Sequence, residues 1–225
     1  MRKFKIRASA VSRIMAKPTG KRIISTGAET YVKEWYAEQV YGKINNFTSK
    51  YTEKGNAVED ESIKFIGEYM DINILKNEKS YADEYMTGTP DVVIQDSDDT
   101  YKDAILEVKN SWNCFTFPLT DTEVKNKTYF YQCQVYMHLT GLTRSKLVYT
   151  LMNTPDNIIE NEYRRINDLS LSYQEFREHY VFDDTPWNLR IKSFDIEYDA
   201  SVIEQICDRV DACREYLHNN TNNDK

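Results

Sequence analysis

A chain of 225 residues with 40% hydrophobic and 13% aromatic content can bury one substantial core, and no sequence break marks a second domain. Its net charge of -7 argues against a general nucleic-acid-binding protein, which carries a basic field, although carboxylates that hold cations also lower this sum. No apolar run reaches membrane-spanning length, no secretory signal precedes the first helix, and Cys114, Cys133, Cys207 and Cys213 lack the CxxC spacing of zinc or iron-sulfur sites, so a cytoplasmic location is expected.

In chain order, Arg2, Lys3, Lys5, Arg7, Arg13, Lys17, Lys21 and Arg22 crowd the first 22 positions with no Asp or Glu among them. That reads as a phosphate-contacting surface or as a solvated amphipathic start. Residues 8–16 predict a short helix capped near Ser9 and stopped by Pro18 and Gly20. A helix N-terminus also binds phosphate, so Ser9 with Arg7 and Lys5 suits either role. Residues 25–41 predict a core helix with Tyr31, Trp35 and Val40 on or near one face, ended by Gly42. A third helix over 54–70 turns Val58, Ile63, Phe65 and Ile66 inward and closes at Asp71. Its Glu59, Asp60 and Glu61 read as macrodipole compensation in the first turns, or as a carboxylate aimed at a site elsewhere.

Strands are expected over 74–81, 85–87, 92–95 and 104–110, then a helix over 127–139 ending at Gly141, and a strand over 146–152. A helical stretch over 158–180, a strand over 190–198 and an amphipathic helix over 201–217 complete the chain, with residues 219–225 a disordered tail. This order gives an α/β (α+β) fold, a central mixed sheet flanked by helices, in one domain over 1–218.

The stretch 85–112 carries the chemistry. Asp91 follows a Gly-Thr-Pro turn, and Glu107 and Lys109 stand two residues apart inside the apolar run from Ala104. In a strand they share one face, while Leu106 and Val108 share the other. A buried carboxylate beside a lysine is costly unless paired or bound. The polar, acidic link over 95–100 suits a hairpin that brings Asp91 alongside. Two converging carboxylates offer hard oxygen ligands, which suit Mg²⁺ or Mn²⁺ rather than zinc. The functional reading is a metal-dependent phosphodiesterase site; the plain one is a salt-bridged edge hairpin.

Gly-Thr-Pro-Asp91 followed by Glu107-Val108-Lys109 resembles the PD-(D/E)XK nuclease pattern, the restriction-endonuclease-like core. Gly55-Asn-Ala-Val-Glu59, the helix around Gln132 and Gln134, and the segment from Arg7 to Pro18 are similar to the lambda-exonuclease-type and YqaJ-like viral recombinases. The resemblance implies that Asp91, Glu107 and the Val108 carbonyl bind Mg²⁺, with Glu59 at the same site directly or through water. It implies that Lys109 orients or helps deprotonate the attacking water, that Gln132 positions Lys109, water or phosphate, and that Ser9 contacts the terminal 5′-phosphate. Arg7, Lys5 and Lys3 are alternatives for the accompanying cation. Lys50, Lys54, Lys125, Lys127, Arg144, Lys146, Arg164 and Arg165 would supply the DNA track. The implied activity is 5′-to-3′ exonuclease action on double-stranded DNA ends, in a ring-shaped trimer, beside a single-strand annealing protein in phage-type recombination. The alternatives are an endonuclease of the same fold and an inactive DNA-end-binding accessory protein.

Overall fold

The computed structural model describes residues 2–45, 48–94, 103–166 and 170–221. The chain opens with β1 (Ile6–Arg7), a 3-10 turn over Ala8–Ala10 and α1 (Ser12–Met15), followed by α2 (Thr26–Tyr41) and α3 (Lys50–Met70). Four short strands come next: β2 (Tyr81–Ala82), β3 (Met86–Gly88), β4 (Val92–Ile94) and β5 (Ala104–Asn110). Then α4 (Lys127–Thr140), β6 (Arg144–Thr150), α5 (Asp156–Ile166), α6 (Tyr173–Glu178), β7 (Ile191–Glu197) and α7 (Ala200–Thr221) complete the molecule.

The principal sheet has the order β4-β5-β6-β7, with β5 and β6 parallel and both outer pairs antiparallel; a smaller sheet has the order β1-β3-β2. Between parallel β5 and β6 the chain crosses over through α4, as parallel strands require. Strand β5 is buried on both faces. Its Leu106 and Val108 pack with Val58, Ile63 and Ile66 of α3, while Ile105 packs with Cys133, Val135 and Met137 of α4 and Ile206 and Val210 of α7. The alternation expected of a strand therefore places Glu107 and Lys109 on the α4 side, in line with Ile105.

Several helix ends follow from local chemistry. Ser25 caps α2 by accepting from the Ala28 N–H, and Gly42, at φ 63°, ends it. Ser49 caps α3, Asp71 closes it in the left-handed region, and Gly141 does the same for α4. Because α3 starts at Lys50, Glu59, Asp60 and Glu61 lie in mid-helix, and the first-turn macrodipole reading fails.

Other expectations are also corrected. The helix over 8–16 is a 3-10 turn and a four-residue helix, and Ser9 is exposed and caps nothing, because β1 first pairs with β3 in parallel register. Val40 is 55% exposed, outside the core stripe of α2. The strand over 74–81 shrinks to β2. Ile74 instead packs beside Gly67, and the Asn77 backbone N–H donates to the Asp91 carbonyl. The helical stretch over 158–180 is two helices, and α7 runs through Asn219 and Asn220 to Thr221, so the start of the expected tail is helical. The acidic link over 95–100 and residues 222–225 lie outside the described residues. Among the described residues no helix is long and apolar enough to cross a membrane.

Candidate active site

A cleft of about 440 Å³ opens at the C-terminal end of β5, between α3 and α4. Its walls include Glu59, Asp91, Glu107, Val108, Lys109 and Gln132, residues drawn from α3, the β4 approach, β5 and α4. The antiparallel pairing of β4 with β5, Val92 opposite Leu106, brings Asp91 alongside Val108, whose N–H donates to Asp91 Oδ2 at 2.7 Å. The turn before Asp91 is held from outside by Asn77, whose side-chain amide donates to the Pro90 carbonyl at 2.8 Å.

Glu107 is 1% exposed and pairs with the Lys109 ammonium through Oε1, while Oε2 is buried without a hydrogen-bond partner among the described residues. Burial pushes the Glu107 carboxyl above its ordinary range; the Lys109 charge opposes this and the Asp91 charge adds to it. Asp91 is raised as well, by desolvation first, against the pull of Lys109 and the Val108 N–H. For Lys109, burial works against the charge, but Glu107 and Asp91 outweigh it and raise the pKa. The ammonium also lies 4.9 Å from the ring centre of Tyr129, a cation–π contact from α4.

Two other expected residues, Glu59 and Gln132, also line the cleft, each with a partner of its own. Glu59 lines the cleft but pairs with Lys76 at 3.3 Å, so it borders the site rather than meeting Glu107. Gln132 donates its amide to the Tyr136 hydroxyl at 2.9 Å, with no hydrogen bond to Lys109 among the described residues. Cys133, beneath the site and fully buried, is pushed up to about 12 by burial, so it offers no nucleophilic thiolate.

Ser9, Arg7 and Lys5 do not line this cleft. Arg7 bonds Glu38 at 2.9 Å at a separate depression shared with Arg13, and Lys5 donates to the Asp83 carbonyl. The expected DNA track is largely paired within the chain: Lys50 and Arg165 with Glu162, Lys125 with Asp121, Lys146 with Asp195, and Arg164 with Glu160. Lys54 is not on the surface at all. It is 0% exposed and donates to the Ser111 and Trp112 carbonyls at 2.7 and 3.1 Å, supporting the cleft wall from behind.

Asn110, Trp112, Tyr129 and Tyr149 also line the cleft. Asn110 was within reach of sequence reasoning as the next residue after the Glu-Val-Lys run; Tyr149 was not, since it arrives opposite Lys109 only through the β5–β6 register.

The family of YqaJ-like viral recombinase domains matches residues 1–143. The chain belongs to this family. Among solved structures, this YqaJ-like chain is similar to a phage related exonuclease from Haemophilus somnus 129PT, with a TM-score of 0.80 and 25% identity over 97% of this chain and 95% of that one. An alkaline exonuclease (LHK-Exo) from Laribacter hongkongensis superposes with a TM-score of 0.64 at 15% identity, covering 96% and 93% of the two chains. LHK-Exo in complex with dAMP matches with a TM-score of 0.64 at 17% identity, over the same shares. These two likenesses concern the fold. No curated protein sequence matches the chain.

The cleft suits a divalent cation by its donor chemistry. Asp91 and Glu107 offer oxygen ligands beside the Val108 backbone, and Glu107 Oε2 is buried with no hydrogen-bond donor because Lys109 pairs with Oε1 alone. Among the described residues no three His, Cys, Asp or Glu side chains form a ready cage, so water would have to complete the coordination, as it commonly does around Mg²⁺.

Proposed function

We propose that this protein is a Mg²⁺-dependent exonuclease that hydrolyses phosphodiester bonds of linear double-stranded DNA, proceeding from the 5′ end, in phage-type recombination. The observation that carries this reading is the convergence of Asp91, Glu107, Val108 and Lys109 on one cleft, with a buried carboxylate oxygen left unpartnered. Membership of the recombinase family and the exonuclease folds of its structural neighbours support it.

In this reading Asp91, Glu107 and the Val108 carbonyl would hold the cation, with Glu59 serving it directly or through water. The cation supplies charge neutralisation at the scissile phosphate and lowers the cost of generating the nucleophile. Lys109, beside both carboxylates in the cleft, would orient the attacking water or help deprotonate it. Tyr129 supports the ammonium from below, and Gln132, anchored by Tyr136, presents the rest of its amide to the cleft. DNA ends are the substrate, Mn²⁺ substitutes for Mg²⁺, and a single-strand annealing protein and a homotrimeric ring are the proposed associates. Enclosure by such a ring would retain an acidic subunit on DNA where electrostatic attraction is weak.

Hydrolysis of linear duplex by the wild-type protein and by Lys109→Ala, with Mg²⁺ or with EDTA, tests the assignment. Metal-dependent hydrolysis that Lys109→Ala reduces by about a hundredfold or more is the expected result. Hydrolysis in EDTA, or at the wild-type rate in the variant, would overturn it.

A further inference from the structure

Asn110 ends β5 and lines the cleft with Asp91, Glu107 and Lys109, but it stands on the other face of the strand, toward α3. Its Oδ1 accepts from the Ser62 and Thr150 hydroxyls, each at 2.6 Å, and both of those residues are 0% exposed. Ser62 Oγ also lies 2.7 Å from the Val58 carbonyl, but its single proton is given to Asn110, so the oxygen end of the carboxamide is held between a helix and the neighbouring strand. The amide nitrogen has no partner among the described residues, and Asn110 as a whole is only half-buried. Pinning the oxygen fixes the amide plane, which leaves two N–H donors pointing away from the buried hydroxyls, on the open side of a half-buried residue that borders the cleft.

We propose that Asn110 is a substrate-binding residue of this cleft, its side-chain N–H groups donating to a non-bridging phosphate oxygen of the bound DNA strand. An amide donor cannot serve a cation, so its task is distinct from that of the neighbouring carboxylates. The acceptor must come from the substrate. Phosphate oxygens recur at every nucleotide and carry no sequence information, whereas base-edge contacts would impose a sequence preference on an enzyme that degrades any strand. The inference rests on the nuclease reading above and adds to it a phosphate contact that involves neither the metal ligands nor Lys109.

The test is equilibrium binding of linear duplex in Ca²⁺ or EDTA by the wild-type protein, Asn110→Ala and Asn110→Asp. It is repeated with duplexes carrying one methylphosphonate moved along the terminal nucleotides. Asn110→Ala is expected to weaken binding about tenfold, as for a lost hydrogen bond to a charged group. At one position the methylphosphonate should cost the wild-type protein that same factor and cost the variant nothing. Asn110→Asp keeps both hydroxyl contacts, so it serves where alanine disturbs folding, and it should weaken binding further by repelling phosphate. Variants that bind like the wild type, or methylphosphonate effects identical in wild type and variant, would overturn the inference while leaving the nuclease reading intact. A wild-type protein that binds no duplex would remove both.

Discussion

Glu162 offers a quantitative check on how the cleft is braced. This carboxylate of α5 is 5% exposed, bonds Arg165 through both oxygens at 2.8 Å and pairs with Lys50 at the start of α3. Lys50 in turn lies 4.8 Å from the ring centre of Trp112, a wall of the cleft. Hydrogen bonding from Arg165, with Lys50 adding to it against the cost of burial, holds the Glu162 carboxyl at about 2, below the ordinary 4.5. Because Arg165 is largely exposed, solvent screening reduces that displacement to roughly 1–2 kcal/mol of stability. Because the folded value is the lower one, the contribution is fully present above the unfolded value near 4.5 and is lost as the pH falls through about 2. Urea unfolding of the wild-type protein and Glu162→Gln from pH 7 down to pH 2 isolates it. The difference should be on the order of 1–2 kcal/mol above about pH 5 and should shrink steadily below that. A pH-independent difference, or a difference that grows in acid, would refute the electrostatic account.

Gly88→Ala should destabilise the fold by about 1–3 kcal/mol in thermal or urea melts, because a Cβ there would stand 2.5 Å from Tyr136 Cε1 and 2.9 Å from Ala8 Cβ. The same change displaces the tyrosine that anchors Gln132, so activity per folded molecule should also fall. Lys54→Met removes the donor from two buried carbonyls and should cost about 2–4 kcal/mol. Burial holds Lys54 down at about 7, so the wild-type protein should gain stability relative to this variant as the pH rises from 7 toward 10.

Strand β5 was legible because two charges at alternate positions of an apolar run share one face, and it spans residues 104–110 as the pattern indicates. Gly42, Asp71 and Gly141 were equally readable, since a left-handed residue after a helical stripe has few other uses. Residues 74–80 misled because a short extended segment looks the same whether or not it finds a partner strand; here Ile74 packs on α3 instead. Strand β1 was hidden because two residues carry no period. Lys54 read as a DNA contact since sequence cannot tell an exposed lysine from one captured by two backbone carbonyls on a distant strand end. The Lys50–Glu162 pair joins residues from α3 and α5 and leaves no local trace. Within the site, the roles of Asp91 and Glu107 came from spacing and resemblance, while Glu59 turns partly aside to Lys76, a partner from the irregular segment that spacing did not place.

The most direct measurement is digestion of end-labelled linear duplex with a 5′-phosphate beside a covalently closed circle of the same sequence, with Mg²⁺ and with EDTA. The account predicts release of 5′-terminal nucleotides from the linear molecule only, and only with metal. Cutting of the closed circle, or release of nucleotides without metal, would contradict it.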